Sequence, residues 1–366
     1  MQLIDLFIKL LSYESITPDD AGSLDFIQEY LSDYDVIWKN ENGVRNLFLY
    51  KKFGEGEHLC FAGHLDVVPA GDGWLTNPFV PVLENGVITA RGTQDMKSGV
   101  TAFLQAVRDT TTFNGTLSIL LTSDEEGDAT YGTQIMLKHL KEIDFLPTSC
   151  IVAEPTCESR FGDAIKVGRR GSINGVITIY GKQGHAAYPE KAINPIHLVS
   201  SKLQNMAGVN LDDGDEYFSH SQFVVTDIRS GYEVTNVTPN TLKMMFNVRN
   251  STKTTIDDVK DFVDKNLNGL DYDIKLSQSA KPFMTNSNTL VVKAIDRAIK
   301  EVCGEKPKHS TAGGTSDARF MGEYKINTVE FGVINDTIHA PNERTTVDEV
   351  EKLYLVFSNL IQNFRA

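Results

Sequence analysis

The side chains with chemistry in them are acids and histidines, and they stand at one recurring kind of position. His64-Leu65-Asp66 follows the apolar run Leu59-Cys60-Phe61-Ala62, and Asp124-Glu125-Glu126 follows the run from Thr116 to Thr122. Glu154 follows Cys150-Ile151-Val152-Ala153, and His339 comes after a run that ends near Gly332. Asp95 stands just before a helical pattern beginning at Met96. Each run has strand length, so the set gathers beyond the carboxyl ends of strands, where open α/β sheets collect their ligands. Two imidazoles with several carboxylates suit zinc or a similar first-row divalent ion. There are more carboxylates than one ion needs, which suggests two ions held roughly 3.5–4 Å apart by a bridging carboxylate. Residue types alone leave blander uses open. His64 could be a hydrogen-bonded strand-end histidine, Asp95 a helix N-cap, the acidic triplet a solvated turn, and Glu154 and His339 ordinary surface residues.

The elements that must position these residues alternate between short apolar strands and helical patterns from about 58 to 170, and again from about 290 to the end. Met96, Val100, Phe103, Leu104 and Val107 mark one helix face, and Thr346-Val347-Asp348-Glu349 spells a capping box before the last helix. This alternation predicts an α/β fold: a mixed twisted sheet flanked by helices. Between about 172 and 284 the rhythm changes to a βαββαβ order, the split βαβ sandwich. The expected organisation is a catalytic, metal-binding domain of residues 1–171 and 285–366, interrupted by an inserted α+β domain of residues 172–284.

Composition narrows the partners. A formal charge of −14 argues against nucleic acid and anionic membrane. No apolar run approaches the roughly 20 residues that span a bilayer. Leu3, Leu6, Phe7, Leu10 and Leu11 recur at helical spacing around Asp5 and Lys9, which reads as an amphipathic first helix and not a signal peptide. The cysteines Cys60, Cys150, Cys157 and Cys303 have no C-x-x-C spacing, which points to a reducing cytoplasm and against a thiolate metal site.

The motifs Gly63-His64-Leu65-Asp66-Val67-Val68-Pro69, Arg91-Gly92-Thr93-Gln94-Asp95-Met96-Lys97, Ser123-Asp124-Glu125-Glu126-Gly127 and Ala153-Glu154-Pro155 resemble the dinuclear zinc aminoacylase and carboxypeptidase family. Lys166 to Ser172, Gly313 to Phe320 and Asn335 to His339 narrow the resemblance to members acting on N-succinyl-LL-2,6-diaminopimelate. The resemblance runs end to end. It implies two divalent ions, Zn2+ with Co2+ or Mn2+ as alternatives in one site. Asp95 would bridge them, His64 and Glu154 would complete one, and Glu126 and His339 the other. Asp66, on the same side of an extended segment as His64, would hold the imidazole. Glu125 would be the general base, and the Asp95–Met96 peptide would be cis. His185, in Gly184-His185-Ala186-Ala187-Tyr188-Pro189, would reach the active site of a second subunit, which implies a homodimer. Gln94 and Ser98 depart from the family, which usually carries a small residue at the first position and often glycine at the second.

The implied substrate has three carboxylates and one ammonium, so an acidic protein needs local cations to hold it. Lys166, Arg169, Arg170 and Arg249 are the candidates. Gly314 and Thr315 offer a carboxylate cradle, and Ser172, Tyr188, Asn236 and Asn335 are further contact candidates. The expected reaction is hydrolysis of the N-succinyl amide. The alternatives are a related deacylase acting on another N-acylated amino acid such as acetylornithine, a carboxypeptidase, or a non-catalytic module that binds metal or amino acid. A serine hydrolase fits poorly, because Gly314-Thr315-Ser316-Asp317-Ala318 lacks the last glycine of a nucleophile elbow.

Overall fold

Strands that are apolar on both faces must be covered on both faces, and four such runs form the centre of the larger sheet. Gly115–Thr122, Glu57–His64, Ser149–Val152 and Asn327–Glu330 lie side by side and parallel. An antiparallel hairpin, Asp35–Glu41 with Val44–Lys52, extends one flank. Ala164–Lys166 and then Lys308–Ser310 extend the other, giving eight strands in the mixed sheet that the sequence predicts. The chain places Glu57–His64 first, the next central strand on one side of it and Ser149–Val152 on the other. That reversal opens a crevice at the carboxyl end of Glu57–His64.

The two sheet faces alternate residue by residue. Phe61 packs against Phe103 of the Lys97–Arg108 helix at 5.7 Å between rings, and against Phe357 of the Val347–Asn363 helix at 5.3 Å. His58 points to the opposite face, where Phe145, just past the Thr133–Glu142 helix, lies 5.0 Å from its ring. The first helix, Leu3–Leu11, buries Leu6, Phe7, Leu10 and Leu11 as its spacing predicts. The last helix keeps half of its expected capping box. Thr346 Oγ1 accepts from the Glu349 amide, but the Glu349 carboxylate accepts from the Ile334 amide instead. The full box occurs at Thr255 and Asp258, ahead of the Ile256–Leu267 helix.

The structure, a computed structural model, describes residues 1–365, and its contacts divide the chain into two units. The first comprises residues 1–168, 284–310 and those from 316 onward; the second comprises 169–283 with 311–315. The sequence reading sets the first boundary three residues later. It also leaves Gly313, Gly314 and Thr315 with the metal-binding part, whereas this loop packs with the second unit because Arg169 grips its carbonyls, as described below. In the second unit, Ser172–Tyr180, Phe223–Ser230, Thr241–Val248 and Tyr272–Ala280 form one antiparallel sheet, with helices Pro195–Leu203 and Ile256–Leu267 in βαββαβ order. Its core includes Ile177, Met244, Phe246, Val259 and Val263.

His58 is a buried histidine whose Nε2 lies 2.8 Å from Ser118 Oγ, and burial lowers its pKa to about 4 from an ordinary 6.5. A histidine kept neutral in this way stabilises fully above the unfolded pKa, and the contribution is lost as pH falls toward the folded value. Between pH 7 and pH 4 the parent should lose up to about 3 kcal/mol relative to His58→Phe. Urea unfolding of both proteins across that range checks this; parallel curves would refute it.

Candidate metal centre and active site

Each candidate ligand is carried to the crevice by its own element. His64 ends the Glu57–His64 strand, Glu125 and Glu126 follow Thr122, and Glu154 stands two residues after Val152. Asp95 immediately precedes Met96, which occupies the N-cap position of the Lys97–Arg108 helix and makes no side-chain cap hydrogen bond. The Asp95–Met96 peptide is cis. Gly99 lets this helix approach the Glu154 segment, because a Cβ there would fall 2.2 Å from the Ala153 carbonyl oxygen.

The side chains converge. Asp95 turns Oδ1 to His64 Nε2 at 3.2 Å and Oδ2 to His339 Nε2 at 3.3 Å, the disposition a bridging carboxylate requires. His339 Nε2 is also 3.0 Å from Glu126 Oε1. His64 Nε2 is 3.8 Å from Glu154 Oε1 and 3.9 Å from Glu125 Oε2. Among the described residues, two groups bring ligand atoms within 4.8 Å of one another: His64, Asp95 and Glu126, and His64, Glu125 and Glu154. His64 Nδ1 sits 2.8 Å from the Asp66 carbonyl. A carbonyl only accepts, so Nδ1 carries the proton and Nε2 is left free to ligate.

The donor set fits a divalent cation on electrostatic grounds. Burial, then repulsion from Asp95 and Glu125, holds Glu154 well above the usual carboxylate range. Burial does the same to Glu125, with Asp317, Glu126 and Asp95 adding to the shift and His64 opposing it. Burial disfavours a charged His64, yet Asp95, Glu125, Asp66 and Glu154 outweigh it and raise the ring's pKa. Hydrogen bonds to Asp95 and Glu126 raise His339 to about 10. Glu125 and Glu154 thus hold their protons more tightly in this crowded negative charge, whereas Asp95, despite burial, is held low by hydrogen bonds to His339 and His64. Mixed imidazole and carboxylate donors of this kind are what divalent cations bind.

Comparison with known proteins bears on the same residues. The model of peptidase family M20/M25/M40 matches residues 60–363, a span that contains every candidate ligand. The chain belongs to this family. It is 69% identical over 364 residues to the succinyl-diaminopimelate desuccinylase of a Sulfurovum species, covering 100% of this chain and 99% of that one. It is 63% identical over 365 residues to the enzyme of the same name from Sulfurimonas denitrificans, covering 100% of both. The aminopeptidase PepT of Bacillus cereus shares the fold with a TM-score of 0.82, at 20% identity over 99% of this chain and 98% of that one. So does the Bacillus subtilis YXEP protein, described as a dinuclear metal binding peptidase of the M20 family, with a TM-score of 0.71 at 13% identity over 98% and 96%.

In this M20 chain the structure gives Asp66 and Arg169 more specific contacts than the sequence does. Asp66 meets the His64 imidazole with its carbonyl, 2.8 Å from Nδ1, and with Oδ1 3.6 Å from the same nitrogen, while Oδ1 also accepts from the Glu125 amide at 3.3 Å and Oδ2 from the Glu126 amide at 3.0 Å. Burial first, against the opposing influence of His64, raises this carboxyl to about 6. Arg169 is not a free carboxylate clamp. It is buried, and its guanidinium donates to the Ala312 and Gly314 carbonyls at 3.2 and 3.0 Å. Gly313 has φ of 105°, and a Cβ there would come within 2.7 Å of the Arg169 guanidinium, so only glycine suits this turn. Asp124 serves its own loop, with Oδ2 accepting from the Tyr131 amide.

The remaining contact candidates fall into small groups. In the first unit, Lys166 is buried with Nζ 3.5 Å from Ser310 Oγ, and the half-buried Asn335 donates its backbone amide to the Cys157 carbonyl. In the second unit, Ser172 is buried and accepts from Asn247 Nδ2 at 3.0 Å. His185 pairs with Val237 in a two-residue ladder, its ring is 5.8 Å from that of Tyr188, and the Ala186 amide donates to the Asn236 carbonyl. His185, Tyr188 and Asn236 are exposed, as are Arg249 and Gly314, while Thr315 is half-buried. Burial and the neighbouring Arg249 push the Arg170 guanidinium below its usual pKa, so the pair favours an anion.

Glu343 is the functional residue the sequence reading missed. Its carboxylate accepts from the amides of Gly92, Gln94 and Asp95 at 3.0, 2.7 and 3.1 Å, and pairs with Arg91 at 2.7 Å. It thereby fixes the turn that aims Asp95. The only sequence signal was an acid four residues after His339, with a buried cation still to be matched in Arg91. Glu343→Ala leaves Arg91, two buried amides and the part-buried Asp95 amide without this acceptor. It should lower unfolding stability by roughly 3–5 kcal/mol and reduce metal content. A thermal melt unchanged from the parent would refute this placement.

Proposed function

We propose that this chain is a metal-dependent amidohydrolase that cleaves N-succinyl-LL-2,6-diaminopimelate to succinate and LL-2,6-diaminopimelate, a step toward lysine and cell-wall precursors. The observation that carries the reading is Asp95 turned to both imidazoles, in a chain 69% identical end to end to a named desuccinylase. Two divalent ions, with zinc as the proposed metal, supply when bound the positive charge that lets a water be deprotonated near neutral pH and that polarises the amide carbonyl. His64 and Glu154 are assigned to one ion, Glu126 and His339 to the other, and Asp95 to both.

Glu125 is assigned as general base. Its carboxylate takes a proton from the attacking water and delivers it to the amide nitrogen as the C–N bond breaks, leaving succinate and a free amine. Asp66 supports this by gripping the Glu125 and Glu126 amides, which aims the two adjacent carboxylates separately. Arg170 and Arg249 are assigned to substrate carboxylates, with Lys166, Ser172, Tyr188, Asn236 and Asn335 as further contacts. The Gly314–Thr315 loop, fastened by Arg169, is assigned the same task through its backbone. His185 is assigned to the developing oxyanion, supplied from a second copy of the chain, so the active form is a homodimer built on the second unit. A reducing cytoplasm is the compartment in which four free thiols persist.

Chelation should abolish turnover and added Zn2+ or Co2+ should restore it. Glu125→Gln should keep two ions per chain by elemental analysis while losing about 10²- to 10⁴-fold in kcat. Turnover equal to the parent's would remove Glu125 from the base role. The substrate is tested by assaying succinyl-diaminopimelate beside acetylornithine, and faster cleavage of the second would overturn the substrate assignment.

A further inference from the structure

Gln94 immediately precedes Asp95 and is almost wholly buried, at 2% exposure. It also stands where the family resembled by the sequence usually has a small side chain. The extra atoms are fully used. Gln94 Nε2 donates to Asp336 Oδ1 at 2.6 Å, and Gln94 Oε1 accepts from the Thr337 amide at 2.9 Å. Both partners lie just ahead of His339, whose φ of 59° is in the left-handed region that a histidine adopts only when its surroundings hold it there.

On the other side of His339 the loop is held by Arg91. Its guanidinium donates to the His339 carbonyl and to the Ala340 carbonyl, each at 3.3 Å. Arg91 therefore acts at and after the ligand, and Gln94 acts before it. The His339 side chain itself is 48% exposed and meets only carboxylates at its Nε2, so its placement depends on the backbone beneath it. A small residue at 94 would leave the upstream side of the loop without this tether.

We propose that Gln94 is a positioning residue that ties the bridging Asp95 to the His339 loop and so sets the affinity of the ion shared by Asp95, Glu126 and His339. The proposal rests on the two-ion reading above. Supporting groups of this kind usually change metal affinity by about 10- to 100-fold when removed. Gln94→Leu keeps the bulk and removes both hydrogen bonds, so packing and tethering are separated. Asp336→Asn keeps an acceptor for Gln94, whereas Asp336→Ala does not.

The test is titration of the metal-free proteins with Zn2+ against a competing chelator, alongside their metal-free melting temperatures. The parent should bind two ions. Gln94→Leu should weaken one of them about tenfold or more and leave the other within about twofold. Asp336→Asn should follow the parent, and Asp336→Ala should shift toward Gln94→Leu. The double variant Gln94→Leu/His339→Ala should bind metal like His339→Ala alone, since the tether acts through that ligand. Two ions held by Gln94→Leu with parental affinities would overturn the tether alone, as would equal weakening of both ions with a lowered metal-free melting temperature. Fewer than two ions on the parent would overturn the two-ion reading and the tether together.

Discussion

The structure depends on one electrostatic constraint: carboxylates gathered in a buried crevice have to be held together against their own repulsion. Asp66 and Glu154 are buried, Asp95, Glu125 and Glu126 adjoin them half-buried, and the His64 and His339 imidazoles lie against this group and offset part of its charge. Taking a carboxylate out of water costs several kcal/mol unless it is paired or well hydrogen-bonded. A fold that only needed stability would put apolar side chains here. Retaining the acids is consistent with cations as the missing partners, and it explains why so much surrounding polar structure converges on the ligands.

That polar structure follows one device used twice. Asp66 and Glu343 are buried carboxylates that accept from the backbone amides of ligand-bearing turns. Asp66 takes the amides of Glu125 and Glu126, and Glu343 takes those of Gly92, Gln94 and Asp95. A hydrogen bond to a charged group contributes roughly 1.5–3 kcal/mol, so two or three of them offset much of the cost of burying the acceptor. The result is geometric. Each turn that carries a ligand is fixed at its backbone, and the ligand side chain keeps its lone pairs free.

Strand ends were legible in the sequence because they depend on local signals. Apolar runs of strand length stop at polar residues, and parallel strands put those stops at one edge of the sheet. The positions of His64, Glu154 and the acidic triplet follow from that logic, and that of Asp95 from the helical pattern that begins at Met96. The hairpin of Asp35–Glu41 and Val44–Lys52 was not legible, since Trp38, Lys39 and Asn40 break the alternation that marks a half-buried strand. Ala164–Lys166 and Lys308–Ser310 were missed because three residues carry too little periodicity to read. Glu343 and the loop-holding use of Arg169 were missed for a different reason. Their partners are over 140 residues away, and a charged residue's spacing does not tell whether it will meet a substrate or a carbonyl.

The distance between partners also explains why two glutamates can stand side by side at 125 and 126. Neighbouring residues in an extended chain point to opposite sides, so adjacency alone would send one of them away from the crevice. Asp66 removes that difficulty by accepting from both amides, which curls the backbone around a single carboxylate and leaves each side chain within reach of an imidazole: Glu125 3.9 Å from His64, Glu126 3.0 Å from His339. Asp124, one residue earlier, is bound instead to the Tyr131 amide and closes the loop behind them. Three consecutive acids thus divide into one that shapes the turn and two that face the crevice. What separates the last two is which imidazole each of them meets.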